Sequence, residues 1–175
     1  MEEPMDDDTS PLTIKDTPRL LQWMDEAACN TFEKFENLPP AVVMEAPGHH
    51  IVIDVQDLMG SGADKNALAD KIREKATEIG ATEVVLITEG QMYMSRSRND
   101  HTSKQLALGE ISVSELRPED RQEIALVQYE SKDVAYTVLH LITRPNDGKP
   151  FLGPPDVTRY DPKHYKGRLT GLLPR

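Results

Sequence analysis

Glu83-Val84-Val85-Leu86-Ile87-Thr88 holds four consecutive apolar residues, three of them β-branched, with no polar position among them. A strand wetted on one side alternates in polarity, whereas one covered on both sides does not. Residues 84–87 therefore read as a central strand with a layer on each face. Upstream, Leu68, Ile72, Ala76 and Ile79 recur at steps of four, four and three in a helix beginning near Asp64. Gly80 stands where a left-handed cap closes that helix. Before it, Gly60-Ser61-Gly62 marks a loop, and His49-His50-Ile51-Val52-Ile53-Asp54-Val55 reads as another strand. Strand, helix and strand in this order predict a parallel βαβ unit with a right-handed crossover.

Working outward, Ala41-Val42-Val43-Met44-Glu45-Ala46 and the strand after Pro47-Gly48 form a predicted hairpin. Proline followed by glycine at the two central positions suits a type II turn. Thr17-Pro18 reads as an N-cap with proline at the first helical position. Leu20, Met24, Ala27, Ala28, Thr31, Phe32 and Phe35 then place an apolar stripe on a helix of about five turns. Asp25, Glu26, Glu33 and Glu36 fall on the opposite face, and Pro39-Pro40 ends the helix. Downstream, residues 94–117 are the least regular stretch. Gln122 to Glu130 and Val134 to Arg144 form a second hairpin around Ser131-Lys132-Asp133. The expected order is α-β-β-α-β-β-β, an α+β domain built on one mixed sheet of about five strands with two main helices.

Three regions follow: an acidic tail over 1–16 expected to be mobile, the α/β domain over 17–144, and an extended proline-rich basic arm over 145–175. The tail holds five acids and no base within its first ten residues. The arm holds six bases against three acids and six of the thirteen prolines, which disfavours a helix or central strand there. Its Phe151, Leu152, Tyr160, Tyr165, Leu169, Leu172 and Leu173 are more apolar side chains than a linker carries. They are the candidate partner-binding residues, to be laid on this sheet or on another protein. With the whole chain at a net charge of −10, the domain repels phosphate backbones. Nucleic acid contact is expected only through the arm, where Lys163-His164-Tyr165-Lys166-Gly167-Arg168 interleaves bases and aromatics. No run approaches the ~20 apolar residues of a membrane span. An acidic start is the reverse of a secretory leader, so the cytoplasm is the expected location.

Candidate chemistry is sparse. Cys29 is the single cysteine, which excludes an internal disulfide and a multi-cysteine zinc site. It reads as a small, partly buried helical thiol. Gly60-Ser61-Gly62-Ala63-Asp64-Lys65 lies where phosphate loops lie, but it matches neither the Walker nor the dinucleotide spacing, and Asp64 would oppose a phosphate. His49 and His50 point to opposite faces of a strand and share no metal. His50 and Asp54 share a face but lie ~13 Å apart at strand rise. His101-Thr102-Ser103 is one copy of a motif that two-histidine phosphoesterases need twice. His140, followed by Leu141 and Ile142, supplies no second copy. Glu89, Gln91, Arg96, Arg98, His101, Asp120 and Arg121 gather near predicted strand ends and form a candidate polar cluster. No catalytic, cofactor-binding or metal-ligating residue is assigned, and no cofactor is expected.

The run Phe32-x-x-Phe35-x-x-Leu38-Pro39-Pro40, the hairpin, the lysine-containing helix, Thr88-Glu89-Gly90-Gln91-Met92 and Pro118-Glu119-Asp120-Arg121 occur in a distinctive order. In this order over about residues 20–144, the chain resembles a group of small α/β proteins of bacteria and their phages that have no established activity. Those proteins read Ser-Glu-Ala-Trp where this chain reads Thr88-Glu89-Gly90-Gln91, so the aromatic is lost. The resemblance brings no catalytic residue. The expected function is a non-enzymatic protein-interaction factor, phage-borne or mobile, acting on host machinery or self-associating. The rival is a small hydrolase or nucleotide-binding enzyme using the polar cluster.

Overall fold

The computed structural model describes residues 11–55, 65–94, 100–163 and 171–173. Helix α1 (Arg19–Phe35) leads into a hairpin of β1 (Ala41–Ala46) and β2 (His49–Asp54). Helix α2 (Lys65–Ile79) and the ten-residue β3 (Glu83–Met92) follow, then the short α3 (His101–Ala107). Strands β4 (Gln122–Ser131) and β5 (Ala135–Thr143) make the second hairpin, and β6 (Phe151–Leu152) and β7 (Asp156–Tyr160) come from the rear of the chain. The sheet order is β2-β1-β3-β4-β5, with β6 and β7 both on the outer side of β5.

Every pairing among the described residues is antiparallel. This corrects the expected mixed sheet of about five strands to an antiparallel one of seven. The strands on either side of α2 do run in the same direction, but β1 lies between them. The Pro47-Gly48 turn, with Gly48 at φ 85°, seats β2 on one edge of β1. Only the other edge of β1 is left for β3. Residues 94–117 also differ from expectation: Asp100 caps α3 by accepting a hydrogen bond from the Thr102 backbone N–H at 2.9 Å.

The continuous apolar run of β3 is explained by two cores. Val85 and Ile87 pack with Leu21, Ala28 and Phe32 of α1 and with Val43, Val127 and Val138. Val84 and Leu86 point the other way, to Ala69, Ile72 and Ala76 of α2 and to Val42 and Met44. Alternation along one strand thus feeds two layers, and each fully buried valine contributes about 1.5–3 kcal/mol. The rear of the chain takes part in both cores: Val157 packs under α1, while Leu172 and Leu173 pack under α2. The Glu130 carboxylate accepts the backbone N–H groups of Leu172 and Leu173 at 3.2 and 3.5 Å. Arg73 donates to the Gly171 carbonyl at 2.7 Å.

Helix α1 starts one residue later than expected and stops at Phe35, three residues short of Leu38-Pro39. Pro18, not Thr17, is the N-cap, and Thr17 donates its hydroxyl to the Ile14 carbonyl at 2.5 Å. The C-cap is Glu36, which adopts a left-handed φ of 61° and donates its N–H to the Phe32 carbonyl at 2.7 Å, ahead of Pro39. Its buried stripe runs Leu21, Asp25, Ala28 and Phe32, while Phe35 is 61% exposed. The expectation that Asp25 faces solvent is therefore overturned. Spacings of four, three and four from Leu21 carry the carboxylate into the core.

Candidate functional site

Asp25 and Cys29 are one helical turn apart on α1, so both side chains lie over the same strip of sheet. Opposite them, His140 lies on β5 in phase with Val138 and Ile142, two residues of the core beneath α1. Its Nε2 lies 2.7 Å from Asp25 Oδ1 and 3.9 Å from Cys29 Sγ. Its Nδ1 lies 2.7 Å from the Gly153 carbonyl oxygen. A carbonyl only accepts, so Nδ1 carries a proton. The Asp25 carboxylate then accepts a second one from Nε2, and the ring is an imidazolium.

Both partners are buried, Asp25 at 7% exposure and His140 at 2%. Burial alone pushes the imidazole down, but hydrogen bonding to Asp25, the Cys29 sulfur and the Gly153 carbonyl holds it up at about 10. The Gly153 carbonyl is itself fixed, because the Gly153 N–H donates to the Leu141 carbonyl at 2.8 Å. The β5–β6 junction thus orients the ring from one side and α1 from the other.

The three side chains form the floor of a cleft of about 530 Å³ between α1 and residues 149–155. Its walls are mainly apolar, from Phe32, Pro150, Phe151, Leu152 and Pro155. Phe151 is 53% exposed, although it belongs to a strand. Glu33 and Lys149 bring one charge of each sign to the lining. A concave, largely apolar surface over a few convergent polar groups, one with a strongly displaced pKa, is the usual form of a binding site.

The described members of the polar cluster expected at the strand ends have the following partners. Glu89 accepts the Leu38 backbone N–H at 2.5 Å, fastening the chain between α1 and β1. Gln91 accepts from Arg121 at 3.2 Å, and Asp120 pairs with Arg117 at 3.0 Å. His101 is exposed at the start of α3, and Arg121 Nε is buried without a hydrogen-bond partner among the described residues. Arg96 and Arg98 lie outside the described residues, as do most of the 60–65 loop and the basic run from His164 to Arg168. Of the candidate arm residues, Leu172 and Leu173 are buried, Leu152 packs against the α1 core, Tyr160 pairs with Ala135, and Phe151 lines the cleft. Tyr165 and Leu169 lie outside the described residues.

Asp25 and His140 escape the sequence reading because each looks ordinary alone. The available signal is phase. A carboxylate four residues after a core leucine and a histidine midway between two inward apolar residues both enter a core, and each then requires a partner. Among the described residues, no helix is long and apolar enough to cross a membrane. Comparison with family models, curated proteins and solved structures finds no match.

Proposed function

We propose that the chain is a non-enzymatic protein-interaction factor, and that the α1/β5–β6 cleft grips an apolar side chain of its partner. The observation that carries the reading is an apolar-walled cleft above a floor whose polar atoms already satisfy one another. Both imidazole nitrogens are engaged, Nδ1 by the Gly153 carbonyl and Nε2 by the Asp25 carboxylate. Charge is likewise balanced: Asp25 neutralises His140, and Glu33 and Lys149 carry opposite signs. Recognition then rests on shape and apolar area, with the half-exposed Phe151 as the aromatic anchor.

Selection of a peptide library on the full chain, with counter-selection on Phe151→Asp, tests this. Enriched peptides should share an apolar anchor residue, lose affinity at least about tenfold for the variant, and shift the amide signals of Phe32, Cys29 and Leu152. Peptides that bind the variant as tightly as the parent, or that shift signals elsewhere, refute the assignment.

A further inference from the structure

The cleft floor presents one carboxylate oxygen, one imidazole nitrogen and one sulfur, all within 4.8 Å of one another. We propose that Asp25, Cys29 and His140 form a mononuclear site for a thiophilic divalent cation of the zinc class, with one coordination position open to the cleft. The inference stands on these three side chains; a bound cation would replace the Asp25–His140 hydrogen bond of the floor, whereas the partner-binding reading concerns the apolar walls.

Zinc binds carboxylate oxygen and imidazole nitrogen at about 2.0–2.2 Å and thiolate sulfur at about 2.3 Å, so a tetrahedral set spaces its donors about 3.3–3.8 Å apart. Here the nitrogen–sulfur separation is 3.9 Å and the nitrogen–oxygen separation is 2.7 Å, the length of the hydrogen bond that a cation would replace. Shifts of about half an ångström to one ångström close the set. Asp25 and Cys29 share one face of one helix, so a small movement of α1 adjusts both together.

The outer contacts also match. Metal-bound histidines usually donate their second N–H to a carbonyl or carboxylate, which fixes the tautomer. The Nδ1–H of His140 is held in this way by Gly153 at 2.7 Å, so Nε2 is the atom turned toward Asp25 and Cys29. The thiolate and imidazole favour zinc-like ions over magnesium or calcium, which take oxygen donors. Three protein donors beneath an open cleft leave a fourth position for water, the pattern of an open rather than a closed zinc site.

A carboxylate, a thiolate and a neutral imidazole together carry two negative charges, which a divalent cation balances.

The test uses the full chain stripped with EDTA, titrated with Zn²⁺ against a chromophoric chelator and separately with Co²⁺. The expected result is one ion per chain, a thiolate-to-cobalt charge-transfer band with the visible spectrum of four-coordinate cobalt, and no competition by Mg²⁺. Cys29→Ser should abolish that band and weaken zinc binding by more than about 100-fold, since loss of an outer partner alone costs 10–100-fold. Cys29 is partly exposed, so this variant folds even where Asp25→Asn or His140→Gln does not. His50→Ala, on the β2 edge, should leave binding unchanged. A stoichiometry well below one, or zinc affinity equal in the parent and Cys29→Ser, overturns the site. Because no peptide is present, that failure leaves the partner-binding reading untouched.

Discussion

Asp25→Asn keeps the shape of the side chain and removes the charge that balances the His140 imidazolium. In the variant, His140 keeps its Nδ1–H bond to Gly153 and goes neutral, accepting an amide proton at Nε2. What is lost is the free energy that holds the proton on the ring. With a folded pKa of about 10 against an unfolded value of 6.5, three units separate the folded value from pH 7. At about 1.4 kcal/mol per unit the raised value corresponds to about 4 kcal/mol there, with Asp25 the largest of the groups that raise it, ahead of the Cys29 sulfur and the Gly153 carbonyl. Removal of one partner from a buried ion pair typically costs about 3–5 kcal/mol, in agreement. The folded pKa is the raised one, so the contribution is complete below about pH 6.5 and declines as pH rises toward 10. At pH 9.5 half a unit remains, about 1 kcal/mol. Urea denaturation of metal-free parent and variant at pH 7 and 9.5 measures both values. A difference below about 1 kcal/mol at pH 7, or one that does not shrink by pH 9.5, would refute the imidazolium assignment.

Three further outcomes are expected. Burial and the facing Glu45 raise the Glu83 carboxyl, so Glu83→Gln should stabilise the protein at neutral pH by a few tenths of a kcal/mol after solvent screening, as read by urea denaturation; a loss of stability would show that Tyr129 needs the charged acceptor. Leu172→Ala, at a position 2% exposed beneath α2, should cost about 2–4 kcal/mol, and a cost under 1 would mean that the rear of the chain is not part of that core. Phe151→Ala should change stability by less than about 0.5 kcal/mol, since the ring is half-exposed; a larger thermal shift would make it a packing residue instead of a contact residue.

The central layers were legible because their signal is local. Val84 to Ile87 announces cover on two sides, and α2 is found from Leu68, Ile72, Ala76 and Ile79 with Gly80 closing it at φ 68°. Strand direction was less legible, since nothing in the composition of β1 says that it inserts between β2 and β3. The rear of the chain misled through its prolines. Pro154 and Pro155 break the strand, yet the flanking residues still pair with β5. The cleft floor was hidden for a different reason. Asp25 and His140 are 115 positions apart, and a side chain that looks polar on a helical wheel becomes buried only when its counter-ion arrives from another element.

The two borders of the sheet are unequal. One is β2, a six-residue strand that pairs with β1 and shows Val52 at 68% exposure. The other is split into pieces of two and five residues around Gly153-Pro154-Pro155, where the prolines have no N–H to offer. Among the described residues, β2 is the longer and unbroken of the two borders. Two copies that paired through it would close on themselves as a two-fold pair, because the broken border offers no equal continuation.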